Sequence, residues 1–264
     1  MKIKILTLFK EMFDSYLNTS IIKRAIAKGA VEVEVIDIRQ YSLDKNKRVD
    51  DYPCGGGAGL IMRMQPVYDC LMANKTDKSY VLLTSPRGNK FDQKKAIELA
   101  NKDELVFVCG HYEGIDDRFN KYCDELISIG DFILTGGEVA CMPIVDSIIR
   151  LLDGAISKES LDEESFDNGL LEYPQYTLPY DFKGDKVPDI LFCGNHEAID
   201  KYRLKESLKL TKKYRKDLYD KKEFNKTELK LIKEIEEHND EPKWYKNALQ
   251  KGEKFIKKNI ESNE

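Results

Sequence analysis

Residues 129–140 read IGDFILTGGEVA. A short apolar run, Leu126 to Ile129, enters this stretch. It passes Gly130-Asp131 and three apolar residues, then reaches Thr135-Gly136-Gly137-Glu138. Glycine reaches backbone angles that other residues avoid, so Gly-Asp and Gly-Gly punctuate a chain. The stretch therefore reads as a loop between a strand and a helix rather than as core. Such a loop can bring bare N–H and C=O groups within reach of a flat ligand. A single Gly-rich turn is also an ordinary connection, and its neighbours give it weight.

Working outward, residues 2–9 alternate as a strand, with Ile3, Ile5 and Leu8 apolar, and 31–38 (VEVEVIDI) alternate cleanly. Between them, Asn18-Thr19-Ser20 offers helix N-caps, Ile21, Ile22, Ala25 and Ile26 form one helical face, and Gly29 closes the helix. Four glycines among residues 55–59 exclude regular structure and mark a mobile or ligand-facing loop. A helix starts at Pro66. Strand 80–84 precedes a turn at 85–89, and Asp92 caps a helix running to about residue 101. Strand 104–109 leads into loop 110–118, and strand 125–129 leads into the opening loop and a helix ending near Leu152. Strands alternating with helices predict an α/β domain with a mainly parallel sheet. Ligands bind such sheets beyond the strand C-terminal ends, so the loops after 80–84, 104–109 and 125–129 are expected to meet at one rim.

Residues 153–195 are acidic, then rich in Pro and Tyr, without helical periodicity. Helices are predicted over 197–214, 227–238 (Leu229, Ile232 and Ile235 as its core stripe) and 243–260. The expected organisation is an α/β domain over 1–160, a linker over 161–195 and a small all-helical domain over 196–264.

The 264 residues suit one large or two small domains, and 41% apolar content suffices for a core. The six cysteines, at 54, 70, 109, 123, 141 and 193, form neither a metal knuckle nor a C-x-x-C pair. They read as reduced thiols of a cytosolic protein. The N-terminal residues lack a signal-peptide pattern, and no run approaches the roughly 18 apolar residues of a membrane span. A soluble, cytoplasmic protein is expected. The net charge of −4 is uneven: from residue 200 onward 19 Lys and Arg face 14 Asp and Glu, whereas 24 face 33 before it. A basic C-terminal part suggests a polyanion partner.

The blocks PCGGGAGLIM (53–62), TSPRG (84–88), CGHYEGIDDR (109–118), SIGDFILTGGE (128–138), DSIIR (146–150), ESFDNGLLEYPQYTLP (164–179), KVPDILFCGNH (186–196) and YRLKESL (202–208) come in this order. In this the chain resembles the bacterial tRNA (guanine-N1)-methyltransferase family, TrmD, of the SPOUT class, over nearly its whole length. The resemblance implies an N-terminal domain with a deep trefoil knot and transfer of a methyl group from S-adenosylmethionine to N1 of guanosine 37 of tRNA. It also implies recognition of the preceding guanosine and an obligate homodimer with composite active sites.

Carried over by motif, the cofactor-loop residues are Gly110, Ile129, Gly130, Asp131, Phe132, Ile133 and Leu134. Leu83, Thr84, Ser85, Pro86 and Gly88 form the facing wall, with Gly136 and Gly137 beside them. N1 of guanine carries a proton, so the reaction needs a base at N1 and a cation near O6. The resemblance implies Arg150 for O6 and, as base, the carboxylate preceding Ser165-Phe166. Here that residue is Glu164, where the family has aspartate, and Asp162, Glu163 and Asp167 lie close by. Glu113 is implied as a cofactor-side carboxylate. Leu178 stands where the family usually has arginine. Lys201, Arg203, Lys205, Lys209, Lys212 and Lys213 are implied to meet tRNA phosphates. No metal site is expected; Mg2+ suits the carboxylates, but no ligand cluster requires it.

Three other readings compete. A SPOUT enzyme methylating a ribose 2′-hydroxyl would share the fold, but the acidic linker and Gly169-Leu170-Leu171 speak against it. An ATPase built on glycines 55–59 lacks a following G-K-[ST]. A non-catalytic RNA-binding protein has no use for Arg150 and a linker carboxylate.

Overall fold

The computed structural model describes residues 1–156, 165–166 and 168–261, which divide into two compact units, Met1–Leu161 and Asp162–Glu264. The first unit is built on five parallel strands: β1 (Lys2–Thr7), β2 (Glu32–Asp37), β5 (Ser79–Lys90), β6 (Glu104–Val108) and β7 (Glu125–Ser128), in the order β2-β1-β6-β5-β7. A two-stranded antiparallel pair, β3 (Asp50–Asp51) with β4 (Ile61–Met62), stands apart from it. The expected parallel α/β sheet is present.

Period-2 alternation sends successive side chains to opposite faces, and both faces are buried. Ile3, Ile5, Leu82, Leu105 and Phe107 face one side, with Ile22 and Ala25 of α2 (Ser20–Ala27), Leu99 of α4 (Gln93–Ala100) and Ile144, Val145 and Ile148 of α5 (Gly137–Ile149). Leu6, Val81, Leu83, Val106 and Val108 face the other, with Val67, Cys70 and Leu71 of α3 (Met64–Asn74). The short α1 (Asp14–Leu17) completes the unit's α-helices among the described residues. Asp92 caps α4 as read from sequence, its carboxylate accepting from the Lys95 N–H at 2.9 Å. Pro66 lies in the first turn of α3, where its missing N–H costs nothing.

The structure departs from the sequence reading at 85–89. This stretch is not a turn after a finished strand; it lies within β5. Thr84 and Asn89 both pair with Ile127 of β7, and the residues between them bulge out of the ladder. A Cβ on Gly88 would collide with the backbone of Leu126 and Ile127, so only glycine lets the bulge lie this close to β7.

In the second unit, α6 (His196–Tyr214), α7 (Lys216–Tyr219), α8 (Lys226–Glu236) and α9 (Lys243–Glu261) follow a hairpin of β8 (Asp181–Phe182) and β9 (Asp185–Lys186). Asn225 and Glu228 form a capping box at the start of α8. One small core joins Ile190 and Cys193 to Ala198 and Ala248; another joins Leu170, Leu208 and Leu231. Residues from the acidic, Pro-rich stretch therefore help to build the core of this unit. The stripe of α8 also differs from expectation. Leu231 is fully buried, Ile232 and Ile235 pack beside it, and Leu229 is exposed.

Candidate functional site

The bulge within β5 and the loops that leave the C-terminal ends of β6 and β7 meet around one cavity of about 470 Å³ in the first unit. Its walls come from 83–87, from 110 and 112–115, and from 127–130 with 132–137. One bulge and two loops thus converge where open α/β sheets bind ligands. Of the cofactor residues implied by the sequence, all line this cavity except Gly88 and Asp131. Gly88 packs on β7 instead. The Asp131 carboxylate is 93% exposed and pairs with the Lys90 ammonium at 3.1 Å. Glu113 lines the cavity, and its N–H donates to the Leu60 carbonyl at 3.0 Å, which ties the glycine-rich 55–59 segment to the rim. Arg87, Tyr112, Asn120 and Thr135 also line the cavity and were not singled out in the sequence. Arg87 donates to Asp117 at 2.8 Å, linking the bulge to the loop after β6.

The cavity floor is backbone. The Gly137 N–H donates to the Gly110 carbonyl at 2.6 Å, and His111 forms an antiparallel bridge with Gly136. A Cβ on Gly137 would collide with the Thr84 hydroxyl and lie 2.8 Å from the Gly110 nitrogen. The glycine pair therefore allows β5, β6 and the start of α5 to close on one another. At the other end of the loop Gly130 has φ of 154°. The tip beyond it carries Phe132, Ile133 and Leu134, all exposed, with Ile133 at 87%.

Behind the floor lies a polar group that no sequence spacing revealed. The Glu138 side chain is wholly buried. One carboxylate oxygen accepts from the Thr7 hydroxyl at 2.8 Å, and the other lies 3.3 Å from His111 Nδ1. The His111 ring packs on Phe9 at 4.5 Å and edge-on to Tyr112 at 5.2 Å. The neighbouring Cys109 thiol is held well above its ordinary pKa, chiefly by burial and then by Cys141 and Glu138, so it stays uncharged. The signal that could have drawn attention to Glu138 is a carboxylate in the first turn of a helix, where the macrodipole favours it.

Arg150 is the C-cap residue of α5, and its N–H donates to the Asp146 carbonyl at 3.1 Å. It does not line the cavity. Glu164 and the neighbouring carboxylates Asp162, Glu163 and Asp167 lie outside the described residues. Leu178 is half exposed.

The implied phosphate contacts divide sharply. Lys205 is buried, its ammonium donating to Glu234 at 3.2 Å and to the Asn239 carbonyl at 2.5 Å, so it holds α6 to α8 instead of facing a ligand. Lys209 bonds Glu206 and Asp240, and Lys212 bonds Glu236. Lys201 lies over the Trp244 ring, Arg203 over Tyr173 and Lys213 over Tyr214. Among the described residues no group of three or more His, Cys, Asp or Glu is placed to hold a metal ion, and no helix is long and apolar enough to cross a membrane.

A family model described as tRNA (Guanine-1)-methyltransferase TrmD matches residues 1–221. The tRNA (guanine-N(1)-)-methyltransferase of Clostridium acetobutylicum is 54% identical over 238 residues, covering 89% of this chain and 98% of that protein. The protein of the same name from Clostridium perfringens SM101 is 53% identical over 235 residues, 88% of this chain and 99% of that one. The protein so named from Clostridium botulinum Hall is 52% identical over 237 residues, 89% and 98%. The family match runs from the first strand through all three cavity walls and into the helices of the second unit. Joined to relatives of this identity along nearly their full length, it establishes that the chain belongs to the tRNA (guanine-1)-methyltransferase family TrmD.

Proposed function

We propose that the protein transfers a methyl group from S-adenosylmethionine to N1 of guanosine 37 in tRNA. The observation that carries this reading is the cavity where the β5 bulge meets the loops after β6 and β7, in a chain of this family. Its volume lies within the range of about 300–1,000 Å³ typical of ligand clefts. Its backbone-lined floor suits the edge of an adenine, and Glu113 offers a carboxylate to a sulfonium or amine. The donor supplies the methyl group already activated. The chain's own residues have three tasks: the glycine floor and apolar tip hold the donor and exclude water, Glu164 takes the N1 proton, and Arg150 meets the charge that develops on O6. A positioned base contributes about 10²–10⁴-fold.

The finer organisation belongs to the same proposal. A trefoil knot in the first unit, with a cofactor-binding domain over 1–160, a linker over 161–195 and a helical tRNA-binding domain over 196–264, fits this activity. So does a homodimer with composite sites, because it would bring Arg150, which lies off the cavity, to a site shared between subunits. Mg2+ is consistent with Glu113 and the linker carboxylates, and a tRNA substrate goes with a cytoplasmic location. The names of the relatives favour the base over the ribose as acceptor.

The test uses labelled S-adenosylmethionine and two tRNA transcripts, one with guanosine at positions 36 and 37, the other with position 36 changed. N1-methylguanosine in the first alone is the expected product. Label in a ribose, or equally in both transcripts, overturns the reading.

A further inference from the structure

We propose that Glu138 is a positioning residue for the methyl-donor cavity, acting through Thr7 and His111. The inference rests on the donor reading of that cavity and assigns a role to residues that do not touch it. Thr7, His111 and Glu138 are absent from the lining, while Gly110, Tyr112, Gly136 and Gly137, their chain neighbours or contacts, all belong to it.

Thr7 ends β1, His111 follows β6 and Glu138 opens α5, so one carboxylate ties three elements together at the back of the floor. Both Glu138 and Thr7 are fully buried. An isolated buried carboxylate is costly. This one is held by a hydroxyl, by an imidazole nitrogen and by its place in the first turn of a helix. Thr7 is fixed in turn, its hydroxyl accepting from the Phe9 N–H at 2.9 Å. A Cβ on Gly136 would collide with the Glu138 carboxylate and the His111 imidazole together. The floor backbone therefore rests directly on the pair. The His111–Gly136 bridge and the 2.6 Å bond from Gly137 to Gly110 are the groups the pair holds in register. If Glu138 is removed, Thr7 and His111 lose a shared partner and the two halves of the floor are free to part, while the groups that act on guanine are untouched.

The test measures donor affinity by calorimetry, and steady-state constants for donor and tRNA, on the full-length chain carrying Glu138→Ala, Glu138→Gln or Thr7→Val. Glu138→Ala is expected to raise donor Kd and donor KM about tenfold or more, with kcat at saturating donor and KM for tRNA within about twofold of the parent. Glu138→Gln is expected to recover most of the loss. Its amide oxygen and NH2 can be turned so that one faces His111 and the other the Thr7 hydroxyl, which both donates and accepts. Thr7→Val removes one hydrogen bond and is expected to weaken donor binding about threefold to tenfold; it keeps the test decisive if Glu138→Ala does not fold. Donor constants within twofold of the parent in folded Glu138→Ala and Thr7→Val overturn the inference, as does an equal fall in kcat and tRNA affinity. Failure of the parent to bind S-adenosylmethionine overturns the donor reading, and this inference with it.

Discussion

At the scale of single residues, the cavity proposed for the methyl donor is defined more by what is missing from its floor than by any functional side chain. Gly137→Ala places a methyl group against the Thr84 hydroxyl and the Gly110 amide, inside a contact that cannot open without separating α5 from β6. Overpacking of this kind costs about 1–3 kcal/mol, so donor affinity measured by calorimetry is expected to fall by about tenfold or more. Glu164→Gln belongs to the same scale and has the opposite signature. Turnover falls by about 10²-fold or more, while donor affinity stays within about twofold; unchanged turnover removes Glu164 as the base. The glycines of the floor were legible in the sequence because Gly-Gly before a helix is a local pattern. The Thr7–His111–Glu138 group was not, because its members are separated by more than a hundred residues between Thr7 and His111 and meet only when β1 and β6 lie side by side.

At the scale of elements, hydrophobic alternation and N-cap residues revealed the strands and helices of the first unit, since both depend on spacing a few residues long. The extension of β5 was hidden. Residues 85–89 carry turn chemistry, and only the neighbouring β7 draws Asn89 and Lys90 back into the ladder. The reading of α8 missed by two residues: Leu229 and Leu231 are equally apolar, and packing against Leu170 and Leu208 chose Leu231. Lys205 shows the same limit, because nothing local separates a buried lysine from a surface one. Its removal leaves Glu234 without its buried cation, so Lys205→Met is expected to destabilise the chain by about 3 kcal/mol in denaturant unfolding. The strand junction near Glu104 has a pH signature. Burial alone would push this carboxyl upward, but Ser79, Thr76 and the Lys4 ammonium outweigh it and hold its pKa below the ordinary value. A carboxyl depressed in this way stabilises the fold above its unfolded pKa of about 4.3 and loses that contribution as pH falls through the folded value. Acid unfolding of Glu104→Gln is therefore expected to be less steep than that of the parent across this range, starting from lower stability at neutral pH.

At the scale of the whole molecule, charge is divided along the chain rather than spread, and the stretch from residue 200 onward, where 19 Lys and Arg face 14 Asp and Glu, neutralises part of its own excess. Lys209 and Lys212 already bond carboxylates, so either could meet a phosphate only by giving up that partner, and Lys205 is withdrawn altogether. Each phosphate contact adds about 0.7–0.9 to the slope of log affinity against log salt. Lys213→Ala is expected to lower that slope for tRNA by about one, whereas Lys205→Met, in the fraction that remains folded, leaves it unchanged. Sharing of sites between subunits has its own readout. Arg150→Ala and Glu164→Gln proteins, each impaired alone, are expected to regain part of their activity when mixed and allowed to exchange subunits; no recovery counts against composite sites.

The glycine floor also bears on how such a protein could escape inhibition. A competitor that presses only against Gly136 and Gly137 reads atoms every residue possesses, so a resistant form must change the backbone path itself. At Gly136 and Gly137 any side chain meets Glu138, His111 or Thr84 before it meets the inhibitor, and the substitution that excludes the drug also damages the host's own site. A competitor that leans on Phe132, Ile133 or Leu134 meets exposed side chains, which can change size at little cost to the fold. Durable compounds for this cavity would therefore be shaped to the floor and kept clear of the tip.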